Sequence, residues 1–144
     1  MTTVCHLLAQ KGNEIWSISP DDSVFDCVKM MADKDIGSLV VIEDGRLVGI
    51  ITERHYARNV VLKGRASPQT RVSEIMRTNV ACVRPNHTVE QCMALMTAKK
   101  VRYLPVVDDG KLLGIVSIGD LVKAIINDQK FVIEQLEHYI GGTR

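Results

Sequence analysis

Aromatic side chains are scarce in this sequence, at 4% of 144 residues, and Trp16 is the single tryptophan. The shortage bears on the one basic stretch, where Arg54, Arg58, Lys63, Arg65, Arg71 and Arg77 are set against a single acid, Glu74. Binding nucleic acid through such a stretch calls for interleaved stacking platforms, which are lacking. Excess charge is missing as well. The 18 basic and 17 acidic residues leave a net charge of +1, with no global pull toward nucleic acid or an anionic membrane. The most apolar stretch, residues 36–42, falls far short of the roughly 20 residues a membrane-spanning helix needs. The opening MTTVCHLLAQKGNE has no basic leader before a long apolar run. No secretion signal is read there, and a cytoplasmic protein is expected.

Paired metal-ligand spacing is also absent. Cys5, Cys27, Cys82 and Cys92 form no CxxC motif, and Cys27 and Cys92 sit inside apolar helical patterns as small hydrophobes. Neither a zinc site nor a disulfide framework is expected. His6, His55, His87 and His138 are scattered, with no HExxH, no acid pair and no nucleophile triad. Catalysis is therefore not expected.

What the chain does have is repetition. Shifted by 65 residues, Pro20 meets Pro85, Val24 meets Val89, Cys27 meets Cys92 and Met31 meets Met96. Further on, Leu39 meets Leu104, Val41 meets Val106, Asp44-Gly45 meets Asp109-Gly110 and Gly49-Ile50 meets Gly114-Ile115. An ungapped duplication is the strongest organising signal here. A half of about 60 residues is marginal alone, so the two are expected to fold against each other.

Each copy reads β-α-β-β-α. A short strand (residues 15–18; 81–83) leads through a proline to a helix opened by Ser23, or by Thr88 with Gln91 as a capping box. Val24, Cys27, Val28 and Met31 recur at helical spacing, as do Val89, Cys92, Met93 and Met96. LVVIEDGRLVGIIT and LPVVDDGKLLGIVS follow, apolar runs split by Asp-Gly, the signal of a two-residue hairpin. A second helix comes next, over residues 53–62 and from Ile118 onward. KGRASPQTRVSEIM connects the copies. A closing helix runs through FVIEQLEHYI to a cap at Gly141-Gly142. Its Phe131, Ile133, Leu136 and Ile140 form a stripe for a partner subunit or for their own domain.

The two hairpin-glycine-hydroxyl stretches, and LPVVDDGKLLGIVSIGDL above all, resemble the CBS domain family in its tandem arrangement, the Bateman module. The resemblance covers residues 12 to 128. It implies an α+β fold of two repeats packed sheet to sheet about a pseudo-two-fold axis. The expected divisions are 1–64 (first repeat with N-terminal segment), 65–79 (connection), 80–129 (second repeat) and 130–144 (C-terminal helix). No catalytic domain is left over, which points to a stand-alone pair. The family commonly binds adenosine-containing ligands (AMP, ADP, ATP, NAD or S-adenosylmethionine) in two clefts, and its modules often form disc-shaped dimers. An adenine nucleotide as bound effector, no metal, a homodimer and a regulated protein partner are the expectations that follow.

Ser117-Ile118-Gly119-Asp120 has two readings. S-x-x-D is an ordinary capping box. It also places a hydroxyl and a carboxylate at a helix start, where Asp120 could accept hydrogen bonds from both ribose hydroxyls and Ser117 could donate to phosphate. Gly119 leaves room for close approach. The resemblance supplies the other wall of this cleft from Asn13, Ile15, Trp16, Ile36, Gly37, Ser38 and Leu39, largely through backbone groups. Trp16 stacks on a base or is structural.

The matching second cleft would use Thr52, Val80, Ala81, Cys82, Val101, Arg102 and Tyr103. It has His55 where family members often have the acid, and a histidine is not expected to fill the acid's part in a capping box. His55 is then a degenerate site, a phosphate contact or a plain surface residue. Arg54 and Arg58, four apart, could reach phosphate. The leading reading is a nucleotide-sensing regulatory module. The alternative is an oligomerisation or partner-binding module with no ligand.

Overall fold

The computed structural model describes residues 2–12 and 14–141, the last three as helix backbone only. The architecture is mixed α+β, and the chain divides into two compact units. One comprises residues 14–80 with 109–112, and the other residues 1–13, 81–108 and 113–144.

In the first unit β1 (Ser17–Ile18) leads to α2 (Val24–Lys34), β2 (Ser38–Glu43) and β3 (Arg46–Thr52). β1 lies parallel to β2, with Ser17 opposite Val40, and β2 pairs antiparallel with β3 from Ser38–Thr52 to Glu43–Arg46. The hairpin forms as the Asp-Gly signal requires. Asp44 and Gly45 stand at φ 52° and 77°, and in the second copy Asp109 and Gly110 stand at 51° and 74°. Ser23 Oγ accepts the Asp26 N–H at 3.1 Å and opens α2, which ends at Asp35 in the left-handed region. Ile18, Val24, Cys27, Met31, Leu39, Val41, Ile51 and Val72 fill the core. Burial, and then the Asp22 charge, push the Cys27 thiol up to about 12, so it serves as the small hydrophobe the pattern implied.

The helix expected over residues 53–62 forms in two parts. α3 (Glu53–Tyr56) passes into a wider π turn, Ala57–Val61. The Asn59 amide donates to the His55 carbonyl at 3.1 Å, taking the acceptor that an α turn gives to the backbone N–H of Asn59. The connection then docks on its own unit through α4 (Val72–Ile75). Val24 N–H donates to Thr70 O, and Val72 N–H to Asp22 O.

The second unit contains α1 (Val4–Lys11), α5 (Val89–Lys99), β4 (Tyr103–Asp108), β5 (Lys111–Ser117) from Leu113 onward, and α6 (Ile118–Gly141). Residues 81–83 were expected to form a strand, but only Val83 bridges to Val106 in parallel. Val83 N–H donates to Pro105 O, and Val107 N–H to Val83 O. The next rung would need an N–H from Pro105, which has none. The first copy has Val40 at that place and extends the pairing.

Sequence order groups the N-terminal segment with the first repeat, yet residues 2–12, which carry α1, fold with the second. Val4 and Leu7 are buried with Val83, Val89, Cys92, Leu104, Val116 and Leu121. Val4 N–H donates to His87 O, and Val89 N–H to Thr2 O. The C-terminal helix is the continuation of α6, and every residue from 126 to 138 is exposed. The cap at Gly142 lies outside the described residues.

Candidate functional site

The β5–α6 junction carries Ser117 and Asp120. Both halves of a capping box form there: Ser117 N–H donates to Asp120 Oδ2 at 2.8 Å, and Asp120 N–H to Ser117 Oγ at 3.2 Å. Ile118 N–H, an otherwise unpaired first-turn donor, goes to Arg102 O at 2.9 Å. A third group arrives from α1. Lys11 Nζ donates to Asp120 Oδ2 at 2.6 Å and to Ile115 O at 2.9 Å. Burial alone would raise the Asp120 pKa, but the Lys11 bond and charge together with the Ser117 N–H and hydroxyl bring it below the usual carboxylate value. Asp120 is therefore ionised at neutral pH. The ion pair is partly exposed, at 36% for the Lys11 side chain and 25% for Asp120, and contributes about 0–1 kcal/mol to stability.

The site differs from the carboxylate clamp read in the sequence in one respect. Oδ2 already accepts two hydrogen bonds, and Oδ1 has no partner among the described residues. The carboxylate has one uncommitted oxygen rather than two. Lys11 was missed because it stands 109 residues away in sequence. Gly119 has open surroundings, since a Cβ there would meet only Ser117 Oγ at 3.6 Å, so the protein's own packing does not require glycine.

At the matching β3–α3 junction the expectation for His55 fails. Thr52 N–H donates to His55 Nδ1 at 3.3 Å, and His55 N–H to Thr52 Oγ1 at 3.2 Å, a complete box with histidine in the acid's place. A neutral imidazole protonated on Nε2 offers an acceptor lone pair at Nδ1, which is all the box requires. Thr3 and His6 form the same arrangement at α1, and Arg84 N–H donates to His87 Nδ1 at 2.8 Å. Burial, then the charges of Arg77, Arg54 and Arg58, hold the His55 pKa below its ordinary value and keep it in that neutral form. The two junctions agree in a further detail: Glu53 N–H donates to Gly37 O at 3.1 Å, the counterpart of Ile118 to Arg102.

The remaining candidates fall as follows. In the first unit Ile15 and Trp16 are half-buried just before β1, which forms only at Ser17–Ile18 of the expected 15–18. Ile36 and Gly37 are half-buried just before β2, and Ser38 and Leu39 are buried. Leu39 points into the core and offers a ligand only its backbone. Trp16 packs against that core, with Lys34 Nζ 4.1 Å from its ring centroid, an arrangement that favours the structural reading. Arg54 and Arg58 are exposed, and Val80 is half-buried. In the second unit Cys82 and Arg102 are exposed and Tyr103 is half-buried. Asn13 lies outside the described residues. Among those described, no three His, Cys, Asp or Glu side chains converge as a metal site, and no helix is long and apolar enough to cross a membrane.

Comparison with known proteins bears on the duplicated fold. The profile of the family described as CBS domain matches residues 12–61 and again 72–127. The chain belongs to the CBS domain family. This CBS pair is 37% identical over 151 residues to the CBS domain-containing protein CBSX3, mitochondrial, of Arabidopsis thaliana, covering 98% of this chain and 73% of that one. A solved structure of a protein with CBS domains from Burkholderia ambifaria MC40-6 is 49% identical, with a TM-score of 0.86 over 89% of this chain and 96% of its own. Inosine-5'-monophosphate dehydrogenase of Methanocaldococcus jannaschii is 32% identical over 112 residues, 76% of this chain but 21% of the enzyme. That last likeness is confined to the CBS region of the enzyme.

Proposed function

We propose that this tandem CBS module is a cytoplasmic sensor that binds an adenosine-containing nucleotide (AMP, ADP, ATP or NAD) and passes its occupancy to a regulated partner protein. One observation carries the reading. Asp120 is ionised at a strand-to-helix junction, and its Oδ1 has no partner among the described residues. Such a group suits a sugar hydroxyl, and Ser117 and Gly119 stand beside it for the phosphate. Asn13, Ile15, Trp16 and residues 36–39 would supply the nucleotide's remaining contacts, as the family resemblance implies. A second, weaker site would use His55, Thr52, Arg54 and Arg58, with Val80, Cys82, Arg102 and Tyr103 as walls. Cys5, Cys27 and Cys92 are free thiols, in keeping with a reducing compartment.

Titration calorimetry with the four nucleotides tests this. Asp120→Ala is expected to weaken binding by about ten- to a hundredfold, the worth of one hydrogen bond to a charged group. Unchanged affinity would remove Asp120 from the site.

A second observation favours an assembly role alongside sensing. On α6 Val122, Ile126, Gln129, Ile133 and Leu136 recur at intervals of 4, 3, 4 and 3, a heptad seam, and its four apolar members are among the exposed large hydrophobics. A homodimer through α6 is the reading this supports. Sedimentation analysis should show a dimer that Ile133→Lys with Leu136→Lys converts to monomer, and a wild-type monomer would refute it.

A further inference from the structure

We infer that Lys11 and Asp120 act together to read a vicinal diol, one ribose hydroxyl donating to Asp120 Oδ1 and its neighbour accepting from the Lys11 ammonium, an inference that rests on the nucleotide reading above. The supporting facts are bond counts. Oδ2 accepts from Lys11 Nζ at 2.6 Å and from Ser117 N–H at 2.8 Å, which uses both of its lone-pair sites. A second hydroxyl therefore cannot also donate to Oδ2. An ammonium has three N–H donors. Lys11 directs them to Oδ2 and to Ile115 O at 2.9 Å, which leaves one. An acceptor, Oδ1, and a donor, the third N–H, thus flank a single ion pair whose side chains are both partly open to solvent. A sugar's adjacent hydroxyls, each able to donate and to accept, complement that arrangement.

The placement of Lys11 is built into the fold. α1 is fixed by Val4 and Leu7 in the core and by its Thr3–His6 cap. Leu8 lies so close over β5 that a Cβ on Gly114 would come within 2.7 Å of Leu8 Cδ2. Gly114 thus lets α1 settle one turn before Lys11. The ion pair also cancels the Asp120 charge, which would otherwise repel the phosphate of the same ligand.

The test uses AMP and ATP, each with its 2'-deoxy and 3'-deoxy analogue, titrated into wild type and Lys11→Met, which keeps the apolar stem. Wild type is expected to prefer the ribose form over either analogue by about tenfold. Lys11→Met should lose about tenfold toward AMP, and its discrimination against one deoxy analogue should vanish while that against the other stays. Lys11→Arg should restore part of it.

Three outcomes overturn the inference alone. Tighter AMP binding by Lys11→Met would make Lys11 a competitor for the carboxylate. Unchanged binding would make it a bystander, and an equal loss toward all three ligands would make its role structural. Wild type that binds neither AMP nor ATP nor any analogue overturns the inference too, and counts against the nucleotide reading on which it rests.

Discussion

Gly49 and Gly114 occupy the same place in the two copies, and alanine should cost unequal amounts at each. Neither has a positive φ, so the penalty is steric rather than conformational. At Gly49 an added Cβ would stand 2.8 Å from Met76 Sδ and 3.0 Å from Arg77 O. The sulfur can swing away, but the carbonyl is held, because it accepts the Ile50 N–H at 3.0 Å and Arg77 N–H returns a bond to Ile50 O at 2.9 Å. Relief there means separating two paired backbones. At Gly114 the obstacle is one methyl, Leu8 Cδ2 at 2.7 Å, on a side chain that can change rotamer. Overpacking costs about 1–3 kcal/mol, so Gly49→Ala should fall near the upper end and Gly114→Ala near the lower. For a chain of this length each kcal/mol moves Tm by about 3–4 °C. Urea unfolding and thermal melts of both variants would measure the difference. Gly114→Ala proving as costly as Gly49→Ala, or more so, would refute the distinction between a yielding side chain and a paired backbone.

Further outcomes follow from the junctions. The folded Asp120 pKa is lowered, so its contribution to stability is complete above the unfolded value of about 4 and is lost as pH falls through the folded one. Urea midpoints of Asp120→Asn should accordingly approach those of wild type as the solution is acidified past that point, and a constant gap would contradict the assignment. The His55 pKa is also lowered. Its contribution is complete above the unfolded value of about 6.5, and stability falls as pH drops below that, levelling off beneath the folded pKa. His55→Gln should keep the cap, because Gln91 already fills that role with Thr88, and should flatten stability between about pH 7 and 5. An undiminished pH slope would place the titrating group elsewhere.

Much of this architecture could be read from local chemistry. Asp44-Gly45 and Asp109-Gly110 dictate their turns, Ser23 and Thr88 open their helices, and the 65-residue offset reveals that the helix and the hairpin of each repeat are made twice. What could not be read depended on partners distant in sequence or on a single missing atom. The absent Pro105 N–H ends a strand pairing that repeat logic would extend. Asn59 turns one helix into a π turn by a side-chain bond that no periodicity displays. The histidine caps escaped notice because the expected box calls for an acid or its amide, whereas the geometry asks only for a lone pair at the right reach. At the candidate site, Ser117 and Asp120 announced themselves by spacing, but Lys11 comes from a helix whose apolar residues, Val4, Leu7 and Leu8, are too few to signal where it docks.

That docking has a consequence for biosynthesis. Val4 and Leu7 pack on Val83, Val89, Leu104 and Val116, which are synthesised more than 75 residues after them. At about 5–20 residues per second the opening helix waits on the order of 4–20 seconds with its greasy side uncovered. Residues 14–80 meanwhile have most of their own core to hand. The α1 helix leaves the ribosome well before the segments it packs on and is among the last elements to find its place, so this is the interval in which a holding chaperone would act.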